Sequence, residues 1–362
     1  MKVAVVILNW NGKGFLEKFL PSLFNSLPSY AELIVADNAS TDGSKEAVHN
    51  EKIQWIQLDK NYGFTGGYNR AFEKLDGYKY YVLINSDIEI TEGWLETLTD
   101  FMEKHPEASA CQPKILSYAN KDYFEYAGAA GGFIDRWGFP LCRGRILSCI
   151  EEDKGQYDSP IQCFWASGAC MVVRSDVWRR LGGLDEEFFA HMEEIDFCWR
   201  AKLAGYRVCV VPTSVVYHVG GGTLPAESPM KLRLNYRNNL LMLRNNLART
   251  FAAEYLRGGK TPAAAARKGL CKAGRRIFSR MILDGASAAI FLLTGRVNNF
   301  RMVIKAHGEY RKLKAQPTRQ EIETWLKNNP NISISGIYDG CLPAAALVHG
   351  KKTFSALRGK IK

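Results

Sequence analysis

No apolar stretch among these 362 residues reaches the ~18–20 positions that a membrane-spanning helix needs. Residues 286–293 come nearest, and Asp284 stands just before them. The N-terminus shows no basic, then apolar leader, because Met1-Lys2 runs straight into an apolar strand; no signal peptide is expected. The nine cysteines include no Cys-x-x-Cys pair. An odd count without metal spacing argues against a disulfide framework and for reduced thiols in a cytoplasmic chain, with Cys163 and Cys170 as core residues. Neither the Walker nor the dinucleotide glycine spacing occurs, so the familiar phosphate loops gain no support. Internal repeats are lacking too. The basic segments lack interleaved aromatics, so nucleic acid is not expected as a partner despite a net charge of +11.

Acidic residues are scarce in one half only. Residues 1–225 hold 22 Lys/Arg against 30 Asp/Glu, whereas residues 226–362 hold 26 against 7. The division suggests two regions with different partners: an α/β domain over 1–225 and a basic, mainly helical region over 226–362. A cationic surface of that extent suits anionic lipid on the inner face of the cell membrane, as well as plain solvation.

The first ~115 residues alternate strand and helix signals, the pattern of a parallel sheet flanked by helices. Strands are expected over 3–8, 32–36 and 53–58, and a fourth ends at Asn85. Helices are expected over 14–26, from Ser44 to about His49, from the 61–67 loop to about residue 75, and over 94–105. Residues 116–160 lose periodicity and read as loops and short strands, an insertion suited to an acceptor. Order returns with a glycine-broken turn and strand over 163–174, and with a helix over 175–181 capped by Ser175 or Asp176. A helix over 195–203 follows, then a strand ended by Pro212 and a separate short segment over 214–218 before Gly220, Gly221 and Gly222.

Ligands of open α/β sheets sit beyond the carboxyl ends of the strands. Asp37 and the Asn85-Ser86-Asp87 turn fall at such ends. An Asp there can hold a divalent cation against a diphosphate, although Asn-Ser-Asp is also ordinary turn chemistry. The glycine-rich lead over 63–70 opens a helix, whose first N–H groups suit phosphate, with Arg70 able to pair with it. Glu193, Glu194 and Asp196 crowd the start of another helix, where carboxylates also favour the helix dipole. Neighbours on a helix point ~100° apart, so Glu193 and Glu194 are not expected to face one cleft together. His218 lies at a strand end beside glycines, a promising place for a ligand.

In order, these motifs resemble the family-2 inverting glycosyltransferases of GT-A type, and within them the rhamnosyltransferase-like enzymes of bacterial cell-surface polysaccharide synthesis. The matching text is Val6-Ile7-Leu8-Asn9-Trp10-Asn11-Gly12, Val35-Ala36-Asp37-Asn38-Ala39-Ser40-Thr41-Asp42-Gly43-Ser44, Asn61-Tyr62-Gly63-Phe64-Thr65-Gly66-Gly67-Tyr68-Asn69-Arg70, Asn85-Ser86-Asp87, Ser167-Gly168-Ala169, and Glu193-Glu194-Ile195-Asp196 with Trp199-Arg200. The resemblance implies a GT-A nucleotide-sugar-binding fold, Rossmann-like, with a C-terminal helical region. It implies a donor site from Leu8, Asn9, Asn11, Asp37, Gly67, Asn69, Arg70, Asn85 and Ser86, with Asp37 on the donor's base. Asp87 and His218 would hold Mn2+ or Mg2+, with Asn85 where the family usually carries a first Asp. Trp165, Ser167 and Gly168 would meet the acceptor. Glu194 takes the place of the catalytic base, with Glu193 and Asp196 as alternatives.

The expected reaction moves a sugar from dTDP-rhamnose or a UDP-sugar to a glycan or lipid-linked glycan, with inversion. Two other readings compete. A nucleotidyltransferase would show a glycine- and basic-rich loop after the first strand, which residues 9–14 match poorly. A catalytically inactive nucleotide-sugar- or glycan-binding module would tolerate Asn85 and the Glu-Glu pair.

Overall fold

The computed structural model describes residues 1–48, 50–220, 228–313 and 315–362. In chain order its elements are β1 (Val3–Asn9), α1 (Lys13–Asn25), β2 (Ala31–Asp37), α2 (Ser44–Ala47), β3 (Gln54–Gln57), α3 (Gly63–Glu73), β4 (Tyr80–Ile84), β5 (Ile88–Ile90) and α4 (Trp94–Lys104). Then come β6 (Ala108–Ser117), β7 (Gly132–Asp135), β8 (Pro140–Cys142), β9 (Arg145–Ile146), β10 (Cys149–Ile150), β11 (Ile161–Cys163), β12 (Cys170–Arg174), α5 (Ser175–Leu181), α6 (Glu193–Leu203) and β13 (Arg207–His218). The chain ends with α7 (Pro229–Arg257), α8 (Pro262–Leu293), α9 (Val297–Tyr310), α10 (Arg319–Asn328) and β14 (Ile337–Tyr338). The expected helix end at His49, and Gly221 and Gly222, lie outside the described residues.

The main sheet runs β11-β13-β6-β12-β4-β1-β2-β3, with β5 on β13. Its β1, β2, β3 and β4 are mutually parallel where paired, while β12 is antiparallel to β4 and β6. Both faces are covered, which is why β1 and β4 read as unbroken apolar runs rather than alternating ones. The strand period of two sorts those runs between two cores. Ala4, Val6, Ile34, Tyr81 and Leu83 meet α3, α6 and α7 on one face. Val3, Val5, Val35, Val82 and Ile84 meet α1 and α4 on the other.

Three local expectations needed correction. The strand at Pro212 does not stop: β13 continues to His218, because a register shift between Val211 and Val215 absorbs the residue that lacks an N–H. That continuation carries His218 to the site. Helix α5 is not capped by Ser175 or Asp176; Arg174 takes the cap position, and Ser175 Oγ donates instead to the Tyr78 carbonyl at 2.6 Å. The ten-residue β6 was not anticipated, since buried Ser109, Gln112 and Lys114 interrupt its apolar pattern.

Residues 116–160 form β7–β10, a second sheet that β14 completes from the far end of the chain. The C-terminal helices share the sheet's core: Leu240, Leu243 and Leu247 of α7 lie in one cluster with Tyr68, Phe164 and Trp199. Among the described residues no helix is long and apolar enough to cross a membrane, and all nine cysteines are free thiols.

Candidate active site

The parallel register sets the donor end of the site. Asn9 pairs with Asp37 across β1 and β2, and Ile7 pairs with Ile84 across β1 and β4, so three adjacent strands end at one edge. Asp37, almost fully buried, accepts Asn9 Nδ2 at 2.9 Å, the Ser40 N–H at 2.9 Å and Gln57 Nε2 at 2.8 Å. Asn9 Oδ1 is buried without a partner, and a Cβ on Gly12 would come within 2.5 Å of it. Asn11, at φ 52°, turns the loop and accepts the Thr41 N–H at 2.8 Å. Ser86 Oγ lies beside Gly12, joining this network to the Asn85-Ser86-Asp87 turn.

Asp87 follows β4 and is 6% exposed. Its Oδ1 lies 3.2 Å from His218 Nε2, and Asn85 Nδ2 is 3.3 Å from the same nitrogen. β5 pairs antiparallel with the end of β13, setting His218 opposite Ile88, and this register makes the contact. Glu125, which sequence reasoning missed, lies 3.4 Å from the other ring nitrogen. Burial works against the imidazolium, but the carboxylates of Asp87 and Glu125 override it and lift the His218 pKa to about 10. Nothing in the aperiodic 116–160 stretch marks Glu125; its role depends on the Ile115 carbonyl receiving its N–H.

Among the described residues no group of three or more His, Cys, Asp and Glu side chains is arranged to hold a metal ion. The reason is geometric: Asp87 and Glu125 flank opposite nitrogens of one ring. Asp87 and His218 Nε2, with the Asn85 amide alongside, are too few to bind a hard cation alone. They fit one whose remaining positions come from a diphosphate, as Mg2+ sites commonly do, provided the cation displaces the proton on Nε2.

The segment 167–169 links this cluster to the carboxylates of α6. The Asn85 N–H donates to the Ala169 carbonyl at 2.9 Å. A Cβ on Gly168 would lie 3.9 Å from Glu194 Cβ and 3.0 Å from the Phe64 ring. Glu194 Oε2 and Glu193 Oε2 are both buried without a partner. Burial pushes the Glu194 pKa up to about 7. Burial, and then the charge of Glu194, push the Glu193 carboxyl well above its usual range. Ahead of them, Phe189, His191 and Met192 all have positive φ, a costly run for side-chain-bearing residues. Asn238 of α7 clamps this turn by donating to the carbonyls of Phe188, Ala190 and His191 at 2.8–2.9 Å.

Other sequence-nominated residues are occupied elsewhere. Asp196 is fully buried and faces α7, pairing with Arg200 at 2.7 Å and accepting from Asn245 and Asn246. Removing one member of such a pair strands the other, so Asp196→Ala should cost roughly 3–5 kcal/mol of stability in a denaturant melt. Asn69 is latched to Leu184, giving to its carbonyl at 2.8 Å and accepting its N–H at 2.9 Å. Arg70 stacks 3.6 Å over Tyr62 and pairs with Glu186 at 2.9 Å. The first N–H groups of α3, expected to be open to phosphate, donate to the Phe189 carbonyl. Gly67 admits Leu8, whose methyl carbons would sit 2.6–2.7 Å from a Cβ there. Trp165 is buried with its indole N–H on the Phe133 carbonyl at 2.9 Å, and Ser167 is buried against Ala127 and Gln112. A cavity of about 1080 Å³ behind α3, lined by Asn69, Trp178 and Arg249 among others, contains none of Asp87, Glu194 or His218.

Known proteins resemble this chain in sequence and in fold. Residues 4–177 match the model of glycosyl transferase family 2. N-acetylglucosaminyl-diphospho-decaprenol L-rhamnosyltransferase of Mycobacterium tuberculosis is 24% identical over 66% of this chain and 83% of its own length. Low-salt glycan biosynthesis hexosyltransferase Agl10 of Haloferax volcanii is 25% identical over 66% and 74%. Rhamnosyltransferase WbbL of Escherichia coli is 24% identical over 60% and 83%. Among solved structures, GalNAc-T7 with UDP, GalNAc and Mn2+ superposes with a TM-score of 0.53 at 17% identity, over 71% of this chain and 51% of that one. S. aureus TarS 1-349 in complex with UDP-GlcNAc gives 0.50 at 16% identity, over 86% and 92%. The mixed sheet and its helical flanks are those of the GT-A fold, and residues 4–177 are a glycosyl transferase family 2 domain continued by a basic helical segment.

Proposed function

We propose that this chain transfers a sugar from a nucleoside-diphosphate sugar to a hydroxyl of a glycan or lipid-linked glycan, with inversion at the anomeric carbon. The observation that carries the reading is the convergence of Asp87, His218 and Glu194, remote in sequence, through the Asn85–Ala169 hydrogen bond and the Gly168 contact. Glu194 is the base. A carboxylate with a pKa of about 7 is matched to taking a proton near neutral pH, and Glu194 is the one set beside Gly168. Glu194 takes the acceptor's hydroxyl proton, the oxygen's electron pair bonds to the anomeric carbon, and the bond to the diphosphate breaks. The leaving nucleoside diphosphate needs no proton, so one carboxylate on the attacking face suffices, in contrast to glycoside hydrolysis.

Asp87 and His218 would hold Mn2+ or Mg2+ together with the donor's diphosphate, and such an ion offsets the negative charge of the departing group. Asn9, Asp37, Asn11 and Ser86 form the floor for the nucleoside end. The name of one relative, the dTDP-rhamnosyl transferase RfbF of Shigella flexneri, favours a deoxythymidine-linked sugar as donor, and that of the decaprenol-linked rhamnosyltransferase favours a lipid-linked glycan as acceptor.

Ligand binding to the folded state must raise its stability by mass action, about 2.7 kcal/mol at a hundredfold excess over Kd. A panel of nucleotide sugars with Mn2+ should therefore contain one that raises the melting temperature by several degrees and releases nucleoside diphosphate when a glycan acceptor is added. No stabilisation and no release across the panel would overturn the proposal.

A further inference from the structure

Helix α8 presents a face that nothing in the described structure covers. Phe278, Ile282 and Leu293 are 66%, 58% and 86% exposed. Exposed Gly285 and Ala289 lie between them at helical spacing. From Phe278 to Leu293 the only charged residues are Arg280 and Asp284, both buried, which pair with each other at 2.8 Å on the inward side. The outward face is thus uncharged for 16 residues, a stripe ~22 Å long at the helical rise per residue. Single exposed apolar residues are ordinary, but a continuous stripe is not.

Cations frame the stripe. Residues 262–308 hold nine Lys/Arg and a single acid, Asp284. Arg275 precedes the stripe, and Arg296, Arg301 and Lys305 follow it, all exposed. An apolar face edged by cations on a helix unable to span a bilayer is the signature of a helix lying in the interface plane. A second copy of the chain fits less well, because a two-fold contact would bring two cationic edges together.

The position of the stripe gives it a purpose. Helices α7 and α8 are antiparallel: Gly269 meets Ala248 and Ala252, Arg280 reaches Asn239, and Tyr236 meets Ser287 at 2.6 Å. Continuing that register brings the end of α8 level with the first turn of α7. Lys231 in that turn is close enough to act on His191 and to feel the charge of Glu125 at the site. The exposed Leu293 end is therefore the end nearest the catalytic cluster.

We propose that the outward face of α8, with its cationic edges, docks the protein on an anionic lipid bilayer and holds the active site toward that surface. The docking itself does not depend on the sugar-transfer reading; only its use for a lipid-linked acceptor does. The test is co-sedimentation of the full chain, without donor or acceptor, with phosphatidylcholine vesicles and with vesicles of equal parts phosphatidylcholine and phosphatidylglycerol. Wild-type protein should bind the mixed vesicles and release at high salt. Ile282→Asp combined with Leu293→Asp, and separately Arg296→Glu combined with Lys305→Glu, should each weaken binding about tenfold or more. Melting temperature and transfer to a water-soluble acceptor should stay unchanged, and Phe278→Ser serves as the milder apolar variant. Wild-type affinity in all the variants, equal binding to both vesicle types, or a wild-type dimer that the apolar variants make monomeric without vesicle binding would overturn it.

Discussion

Replacing Asp87 with alanine is expected to lower kcat/KM for sugar transfer roughly a hundred- to a thousandfold, even in saturating Mn2+. The size follows from the several kcal/mol by which a correctly held cation stabilises a departing diphosphate, with each factor of ten worth about 1.36 kcal/mol. Among the described residues Asp87 is the one carboxylate paired with His218 Nε2, and neutral Asn85 cannot replace its charge. In the proposed site the nucleoside end of the donor would rest on other residues, so its affinity should fall less than the rate. Two readouts separate this from a damaged fold. The variant should melt normally alone, and the Mn2+-dependent part of donor stabilisation should vanish. A variant that transfers sugar normally, with Mn2+ or with chelator, would remove Asp87 from the chemistry.

The second large effect is expected at Glu194. Glu194→Gln keeps the shape beside Gly168 but cannot accept a proton, and loss of a positioned base typically costs about 10²- to 10⁴-fold. Donor-induced stabilisation should survive. The pH dependence supplies an independent signature. The carboxyl acts only when ionised, so wild-type kcat/KM should climb as pH rises through about 7 and level off above it.

The stability sign is opposite. Because the folded pKa is raised above that of an ordinary glutamate, stability is complete at low pH and declines as pH rises toward and through about 7. Glu194→Gln removes that decline and should melt several degrees higher than wild type at pH 8. A variant with a near-normal rate, or a wild-type pH profile flat from 5 to 9, would move the base elsewhere.

The sheet and the strand-end residues were legible in the sequence because they rest on local signals. Unbroken apolar runs such as β1 and β4 announce buried parallel strands, and a polar turn after each marks the ligand edge. The motif order drew attention to Asp87, Glu194 and His218 before the Asp87–His218 contact, or the place of Glu194 beside Gly168, was visible. Long-range partnership was not legible. Arg70 read as able to pair with phosphate and Asn69 as a donor-site residue, and Glu186 and Leu184, more than a hundred residues away, engage them. Asp196 stood in the same acidic cluster as Glu194, but only the position of α7 decides that it faces Asn246. Glu125 carried no local mark at all. The Pro212 misreading has a simpler origin: a proline usually ends a strand, and only the neighbouring β6 lets a bulge carry the chain past it.

The clamp by Asn238 has a consequence for engineering. One amide from the C-terminal helices holds three carbonyls of the turn that aims Glu194, so that half of the molecule is not an interchangeable handle. Grafting it from a relative to alter the proposed membrane contact would disturb the proposed proton acceptor as well. Hybrids would keep their turnover only where the grafted helix brings an equivalent amide to that spot.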